Sequence, residues 1–217
     1  MEPLQSELLE AVRIEYIEYI EALLSQGVDP NFENEEEYSG TSLLSAVIEG
    51  RIEIIRLLLL AGAKVSFSTS DGDTPLHCAA SRKTTTLLHL LLDSGQSFNL
   101  DGFDSSERTP LMRAVEDCKM EHAKMLLQAG ANVNSRYEEM RGHTALGLAM
   151  ERCDLDMVKL LLHSGANLYA LGFLGTMPIE AVALRKGKNA EIIRTYLLEK
   201  HPECKRYLIP PKKRKKR

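Results

Sequence analysis

Apolar residues recur along this chain at the spacing of helices that each bury one face. The segment IEIIRLLLL at 52–60 shows the pattern most clearly, and apolar side chains three and four residues apart indicate an amphipathic helix. Runs of this kind end in glycine five times, at Gly27, Gly62, Gly95, Gly130 and Gly165. Glycine adopts positive φ without strain and often follows a helix C-terminus. We therefore predict five helices that stop at these glycines.

A shorter apolar segment precedes most of these helices and begins with threonine. The copies are TSLLSAV at 41, TPLHCAA at 74, TPLMRAV at 109, TALGLAM at 144 and TMPIEAV at 176, with steps of 33, 35, 35 and 32 residues. An alanine lies five residues after each threonine, at Ala46, Ala79, Ala114, Ala149 and Ala181, and SELLEAV places Ala11 in the same register. Proline is tolerated in the first helical turn. Each repeat therefore predicts a short helix, a tight turn, a longer helix and a polar loop.

The period and these motifs resemble the ankyrin repeat, whose signature is TPLHxA at about 33 residues. TPLH is complete only at 74–77, and GANVN at 130–134 adds to the likeness. The resemblance covers approximate repeats at 4–38, 39–71, 72–106, 107–141, 142–174 and 175–204, which together form one expected domain over 1–204. It implies an all-α, ankyrin-type helix-turn-helix repeat solenoid with protruding hairpin loops.

The first and last repeats depart from the pattern. The first has no Thr-Pro, and the sixth carries the extra residues RKGKN at 185–189 between its helices. One repeat cannot bury its own apolar face, so neighbours must stack and the end repeats need a polar outer side. We expect Glu15, Glu18 and Glu21 to provide that side at the first repeat.

His77 and Cys78 are adjacent, which raises the question of a base beside a nucleophile. Sequence neighbours on a helix do not face each other, and the pair does not recur in the other repeats. In ankyrin-like proteins this histidine is structural and bridges backbone groups of adjacent repeats, and we adopt that interpretation here.

The remaining chemistry-bearing residues show no catalytic or ligand-binding pattern. The four cysteines, at 78, 118, 153 and 204, form no CxxC motif. We predict that they are free thiols in a protein kept in a reducing compartment. Cys118 and Cys153 align with Gly50 in the turn between helices, where an exposed thiol is the simpler interpretation and a redox or metal role the alternative. We expect no enzyme activity, no metal site and no cofactor.

Acidic residues concentrate in three long loops, at 28–40, 96–108 and 131–143. By the family resemblance the loop tips and short helices form the binding surface, and exposed aromatic residues are good interface anchors. The candidate partner-binding residues are Glu35, Glu36, Glu37, Tyr38, Asp101, Phe103, Asp104, Tyr137, Glu138 and Glu139. The alternative is that these loops only keep the protein in solution.

The formal net charge of −4 combines eight positive charges in residues 205–217 with a net −12 in residues 1–204. We predict that 205–217 is a basic disordered tail. Its last six residues, Lys212, Lys213, Arg214, Lys215, Lys216 and Arg217, resemble a nuclear import signal read by an import receptor. The alternatives are an arm that binds nucleic acid or anionic lipid by charge, and docking of the tail on the acidic loops.

These features predict an adaptor or inhibitor that binds another protein through the concave face and acidic tips, with a nucleic-acid-associated regulator as the alternative. The excess acid favours a partner with a basic surface. The start of the chain lacks a secretory signal, and no apolar run reaches the ~20 residues that span a bilayer. We expect a monomer located in the nucleus, the cytoplasm or both.

Overall fold

The computed structural model describes residues 2–32, 41–137, 142–152, 154–172, 175–183 and 185–208. Within these ranges the regular elements are all helical. The chain divides into two compact units, an N-terminal unit over Met1–Pro110 and a C-terminal unit over Leu111–Arg217. No helix in the described ranges is long and apolar enough to cross a lipid bilayer.

The N-terminal unit consists of three helix pairs. Their bounds are α1 Glu2–Arg13, α2 Ile17–Ser25, α3 Ser42–Glu49, α4 Ile52–Leu60, α5 Pro75–Ala80 and α6 Thr86–Leu92. The first helices of successive pairs pack on one another, α1 on α3 and α3 on α5, and α2 packs on α4. Fully buried leucine, isoleucine and alanine side chains fill these contacts, among them Leu44, Ala46, Ile55 and Ala79. Stacking therefore buries faces that one pair cannot bury alone.

The C-terminal unit repeats the arrangement. Its helices are α7 Pro110–Glu116, which begins at the division between the units, α8 Met120–Gln128, α9 Ala145–Arg152, α10 Leu155–His163, α11 Pro178–Ala183, α12 Lys188–Lys200 and α13 Lys205–Leu208, with a 3-10 turn at Pro202–Cys204 before α13. Helix α9 packs on α10 and α11, and α12 packs on α10 and α11.

The predicted glycine stops are confirmed. Gly27, Gly62, Gly95, Gly130 and Gly165 all have positive φ, between 72° and 99°. After four of the five helices the residue that directly follows the glycine closes the turn by donating its N–H back to the helix, for example Ala63 to the carbonyl of Leu58 at 2.9 Å. This backbone pairing satisfies carbonyl groups that the helix end leaves without partners.

Glu15, Glu18 and Glu21 of the first pair are all exposed, and so are the apolar or aromatic residues Ile14, Tyr16 and Tyr19. Glu15 has φ 60° and its carboxylate pairs with the guanidinium of Arg51 in the second repeat. The turn that separates α1 from α2 therefore also contacts the next repeat.

The register predicted for the sixth repeat is wrong by one residue. Helix α11 begins at Pro178, so Met177 occupies the position that Thr74 has before α5. Val182, which is fully buried, then fills the place expected for Ala181. Proline fixes φ and belongs in the first helical turn, so Pro178 determines where this helix starts.

The predicted start of the disordered tail at 205 is also wrong. Lys205–Leu208 forms α13, which packs on α11, and Leu208 is only 4% exposed. The physical reason is that Leu208 and the preceding Cys204 are apolar and buried, so this segment adds to the core of the C-terminal unit. Residues 209–217 lie outside the described residues.

Candidate protein-binding surface

The ring of His77 is fully buried and both of its nitrogens have structural partners. Nδ1 accepts the backbone N–H of Thr74 at 3.2 Å, and Nε2 lies 2.9 Å from the carbonyl oxygen of Arg108. A carbonyl only accepts and an N–H only donates, so the hydrogen-bond pattern assigns the neutral Nε2–H tautomer. His77 thus connects the start of α5 to the loop that enters the next repeat. The structural interpretation is confirmed, and this imidazole is not oriented as a base for Cys78.

Glu180 makes a related contact in the sixth repeat. Its Oε2 accepts the backbone N–H of Met177 at 2.9 Å, just as Nδ1 of His77 accepts that of Thr74. In both repeats a side chain in the first turn satisfies an amide at the helix N-terminus, where no backbone acceptor is available.

Side-chain amides connect the loops of consecutive repeats. Asn134 is the clearest case: its Nδ2 donates to the carbonyl of Gly165 at 3.0 Å, and its Oδ1 accepts the N–H of Asn167 at 2.8 Å. Gln96 makes the same pair of contacts with Ala63 and Val65, and Asn31 makes them with Gly62 and Lys64. The base of each of these loops is therefore fixed to a neighbouring repeat.

Asp104, predicted as a partner-binding residue, belongs instead to the interior of its loop. It is 5% exposed, and its Oδ1 accepts the backbone N–H groups of Ser106 at 2.7 Å and Arg108 at 3.0 Å. A carboxylate that accepts backbone amides in this way favours a compact turn. The prediction for Asp104 is corrected: its charge serves the loop and is not presented to a partner.

The loop that contains Asp104 packs directly on the preceding loop. The N–H of Ser105 donates to the carbonyl of Asp71 at 2.7 Å. Gly72 has φ +76°, and a Cβ at this position would lie 3.2 Å from Cα of Asp104 and 3.3 Å from the carbonyl oxygen of Phe103. Only glycine meets both the backbone conformation and the close approach, so the two loops form one continuous surface within the N-terminal unit.

The remaining predicted residues fall into two groups. Asp101 and Phe103 are half-buried in the N-terminal unit, and Tyr137 is 43% exposed in the C-terminal unit. The others lie outside the described residues: Glu35, Glu36, Glu37, Tyr38, Glu138, Glu139, and the basic residues Lys212, Lys213, Arg214, Lys215, Lys216 and Arg217.

A groove on the N-terminal unit escaped the sequence interpretation. It has a volume of about 450 Å³ and is lined by Ile48, Thr69, Asp71, Asp73, Cys78, Ser81 and Arg82. We call it the α3–α5 groove. The sequence signal that identifies it is the position seven residues after the repeat threonine, where Ile48 follows Thr41 and Ser81 follows Thr74. Ile48 lies in the last turn of α3 and is 38% exposed, whereas Ser81 directly follows α5 and is half-buried.

Three cysteines have described environments, and these differ. Cys118 is exposed, Cys78 is half-buried and Cys204 is buried, with Sγ 3.7 Å from the carbonyl oxygen of Leu197. Burial, and to a smaller extent the Glu203 carboxylate, raises the pKa of the Cys204 thiol. In the described ranges no group of three or more His, Cys, Asp or Glu side chains is placed to hold a metal ion.

Comparison with known proteins gives the family. The model for ankyrin repeats in three copies matches residues 8–101, 43–137 and 101–171. The ankyrin repeat domain of Bcl-3, described as a unique member of the IkappaB protein family, superposes with a TM-score of 0.76 at 27% identity, over 89% of this chain and 85% of that one. This chain therefore belongs to the ankyrin repeat family, and the predicted all-α repeat fold is confirmed.

The curated relatives are longer proteins. Human SH3 and multiple ankyrin repeat domains protein 1 is 37% identical over 107 residues, which is 49% of this chain and 5% of that protein. Human ankyrin repeat and SOCS box protein 11 is 33% identical over 123 residues, 57% of this chain and 36% of that protein. The chain thus matches a minor part of each. The ankyrin repeat is in general a module for protein–protein interaction without catalytic activity.

Proposed function

We propose that this protein is a non-catalytic adaptor or inhibitor that binds a protein partner through its short helices and hairpin loops. The observation that supports the proposal best is the internal fixation of the loops. Asp104, Gln96 and Asn134 hold loop backbones through hydrogen bonds, so binding needs little further ordering of the chain. Rigid loops on a stacked helical scaffold are suited to recognition.

The partner we propose has a basic surface. Residues 1–204 carry a net charge of −12, and complementary charge speeds association and disfavours wrong partners. Anchoring contacts would come from Phe103 and Tyr137, together with Tyr38. The acidic residues Glu35, Glu36, Glu37, Asp101, Glu138 and Glu139 would surround these anchors, whereas Asp104 is no longer a candidate.

The test is recovery of a partner on the immobilised full-length chain, followed by measurement of its binding kinetics. The matched control is a triple variant with Glu35, Glu36 and Glu37 changed to lysine, which keeps every contact described for the fold. We expect a basic partner to bind the native chain and to bind the variant more slowly. A partner that binds both with equal rate constants and no salt dependence would contradict the charge assignment.

For the basic end of the chain we propose nuclear import through Lys212–Arg217. The test is a fusion with a cargo too large to enter the nucleus passively, with and without residues 212–217. Retention of the tailed cargo in the cytoplasm would contradict the import proposal.

The alternative is a nucleic-acid-associated regulator that uses this basic segment as a charged arm. Eight Lys and Arg residues in 205–217 favour it. Binding to phosphate groups weakens steeply with added salt, so the slope of log affinity against log salt, measured with duplex DNA and single-stranded RNA, separates the arm from the protein interface.

A third arrangement is docking of the tail on the acidic loops. In that case removal of residues 212–217 would expose the loops and increase the affinity for the basic partner.

A further inference from the structure

The first helix pair carries exposed apolar and aromatic side chains at the turn between α1 and α2. Ile14 is 62% exposed, Tyr16 52% and Tyr19 36%. The rings of Tyr16 and Tyr19 lie together, with their centroids 5.8 Å apart and their planes tilted by 37°. We call Ile14, Tyr16 and Tyr19 the tyrosine face. The outward side of a repeat stack is normally polar, so paired rings that stay exposed there indicate an interaction surface.

The tyrosine face is attached to both helices of the pair. Tyr19 belongs to α2, and its hydroxyl donates to the carboxylate of Glu7 in α1. The N–H of Tyr16 donates to the carbonyl of Ala11 at 3.0 Å, and its own carbonyl accepts the N–H of Ile20 at 3.0 Å. The backbone under both rings is therefore in place before a partner arrives, which reduces the ordering cost of binding.

The surroundings of the tyrosine face are acidic. Residues 4–25 contain five glutamates and one arginine, all of them exposed. The arginine, Arg13, pairs with Glu10 at 3.8 Å. Glu18 and Glu21 lie one turn apart on the exposed side of α2 and take no part in that pair. The excess of carboxylates gives this helix pair a negative charge, which favours a cationic partner.

We propose that the tyrosine face binds an arginine in a basic segment of a partner protein, with the guanidinium on the rings of Tyr16 and Tyr19. The face of an aromatic ring attracts a cation, arginine more often than lysine, and the planar guanidinium also stacks on the ring. Basic neighbours of this arginine would meet Glu18 and Glu21. The inference rests on the proposed protein-binding function and adds a contact surface outside the hairpin loops.

Charge selects this occupant over two others. A second copy docked through the same face would bring five further glutamates to an acidic surface, and the phosphates of a nucleic acid would be repelled in the same way. Like charges brought together at an interface disfavour such partners, whereas a basic segment is complementary.

The experiment uses the immobilised full chain and four libraries of blocked octapeptides, random except for a central residue fixed as arginine, lysine, citrulline or norleucine. Citrulline has the shape of arginine without its charge, and norleucine keeps the stem of lysine without its head. The informative variant combines Tyr16→Leu and Tyr19→Leu, which keeps apolar side chains and removes both rings. Its matched control combines Tyr16→Phe and Tyr19→Phe, which keeps both rings and removes the hydroxyl groups.

A second pair of variants tests the carboxylates. Glu18→Gln with Glu21→Gln neutralises two of them beside the tyrosine face. Asp93→Asn with Asp117→Asn neutralises two exposed carboxylates of the third and fourth repeats, and so controls for the change in net charge.

We expect the native chain and the phenylalanine variant to retain the arginine library about two- to fivefold better than the leucine variant, the range for a cation–π contact at an exposed site. Retention of the citrulline and norleucine libraries should be the same in all three. The Glu18→Gln and Glu21→Gln variant should lose more arginine retention than the Asp93→Asn and Asp117→Asn variant. Tyr16→Leu alone provides the same test should the double leucine variant lose its circular dichroism signal.

Equal retention of the arginine library by the native chain and the leucine variant would overturn the proposal. Sedimentation equilibrium tests the second copy as occupant: self-association of the native chain that the leucine variant loses would assign the face to a second copy and likewise overturn it. The broader function is judged separately, by the recovered partner. A partner that binds the native chain and the leucine variant equally leaves the protein-binding proposal intact and removes the tyrosine face from it.

Discussion

The imidazole Nε2–H of His77 donates to the carbonyl oxygen of Arg108 at 2.9 Å, across 31 residues of sequence. The ring is fully buried, so the contact is shielded from water. One side chain thus connects the helix start of the third repeat to the loop that enters the fourth.

Replacing His77 with alanine should lower the free energy of unfolding by about 1–3 kcal/mol, because the variant leaves the Thr74 N–H and the Arg108 carbonyl without their partner. Urea denaturation measures the loss. His89→Ala, at an exposed position of α6, is the matched control and should stay within about 0.5 kcal/mol of the native chain. Similar losses in the two variants would contradict the bridging role.

Cys118 should be better replaced by glycine than by any other residue. Its φ is 55°, and Gly50 occupies the corresponding turn with φ 74°. A left-handed conformation costs a non-glycine residue about 1–2 kcal/mol, whereas glycine adds conformational freedom to the unfolded chain worth about 0.4–1 kcal/mol. We expect Cys118→Gly to be stabilising by up to about 1 kcal/mol, Cys118→Ser to be neutral, and Gly50→Ala to be destabilising. Thermal denaturation of the three variants tests the order.

Stability should fall at alkaline pH through Cys204. Its thiol has a raised pKa in the folded chain, so the unfolded chain releases this proton first, at a pH near the ordinary thiol value of about 8.5. The stabilising contribution is complete below that pH and is lost as the pH rises toward the folded value. The melting temperature of the native chain should therefore drop, as the pH rises above about 8.5, more than that of Cys204→Ala. If the melting temperatures of the native chain and of Cys204→Ala fell equally with pH, Cys204 would not be the cause of the alkaline loss of stability.

Thiol labelling should distinguish the same cysteines by accessibility. Iodoacetamide should modify the exposed Cys118 in the folded protein well before the buried Cys204, since alkylation requires an accessible thiolate. Mass spectrometry of peptides from timed samples gives both rates, and labelling in urea provides the unfolded reference. Early modification of Cys204 would show that its environment opens readily.

Two loop residues should act on different rate constants of partner binding. Phe103→Ala should mainly accelerate dissociation, by an amount equivalent to about 1–2 kcal/mol if the ring is central to the interface. Asp101→Lys should mainly slow association and lower its salt sensitivity. Surface plasmon resonance on the recovered partner separates the two effects, and unchanged rate constants in both variants would place the interface elsewhere.

The repeat architecture was readable from sequence because its determinants are local. A positive φ requires glycine, the first helical turn accepts proline, and close packing requires alanine, so each feature appears in the sequence as a particular residue type. The structural role of His77 followed from its place in TPLH. The same reasoning failed at Thr176, where two residues compete as the helix start and proline prevails for a steric reason. It also failed at Asp104, because whether a loop carboxylate faces solvent or its own backbone depends on loop geometry.

The α3–α5 groove was missed for a different reason. Ile48 lies in α3, Asp71 in the loop that precedes α5, and Arg82 in the turn after α5, and only stacking of the repeats brings them to one place. These three residues do not form a recognisable sequence motif. The residues seven positions after the repeat threonines are Ile48, Ser81, Glu116, Glu151 and Ala183, and comparing them would have shown that Ile48 is the largest apolar side chain among them.

The short helix α13 has a practical consequence for anyone who makes fragments of this protein. A fragment that ends after the last long helix, at Cys204, would lack Leu208 and the contact between α13 and α11. Its terminal repeat would then present an apolar edge to solvent, which favours self-association of the fragment. Expression boundaries for the folded body should therefore be set after residue 208, even though the sequence pattern places the end of the repeats earlier.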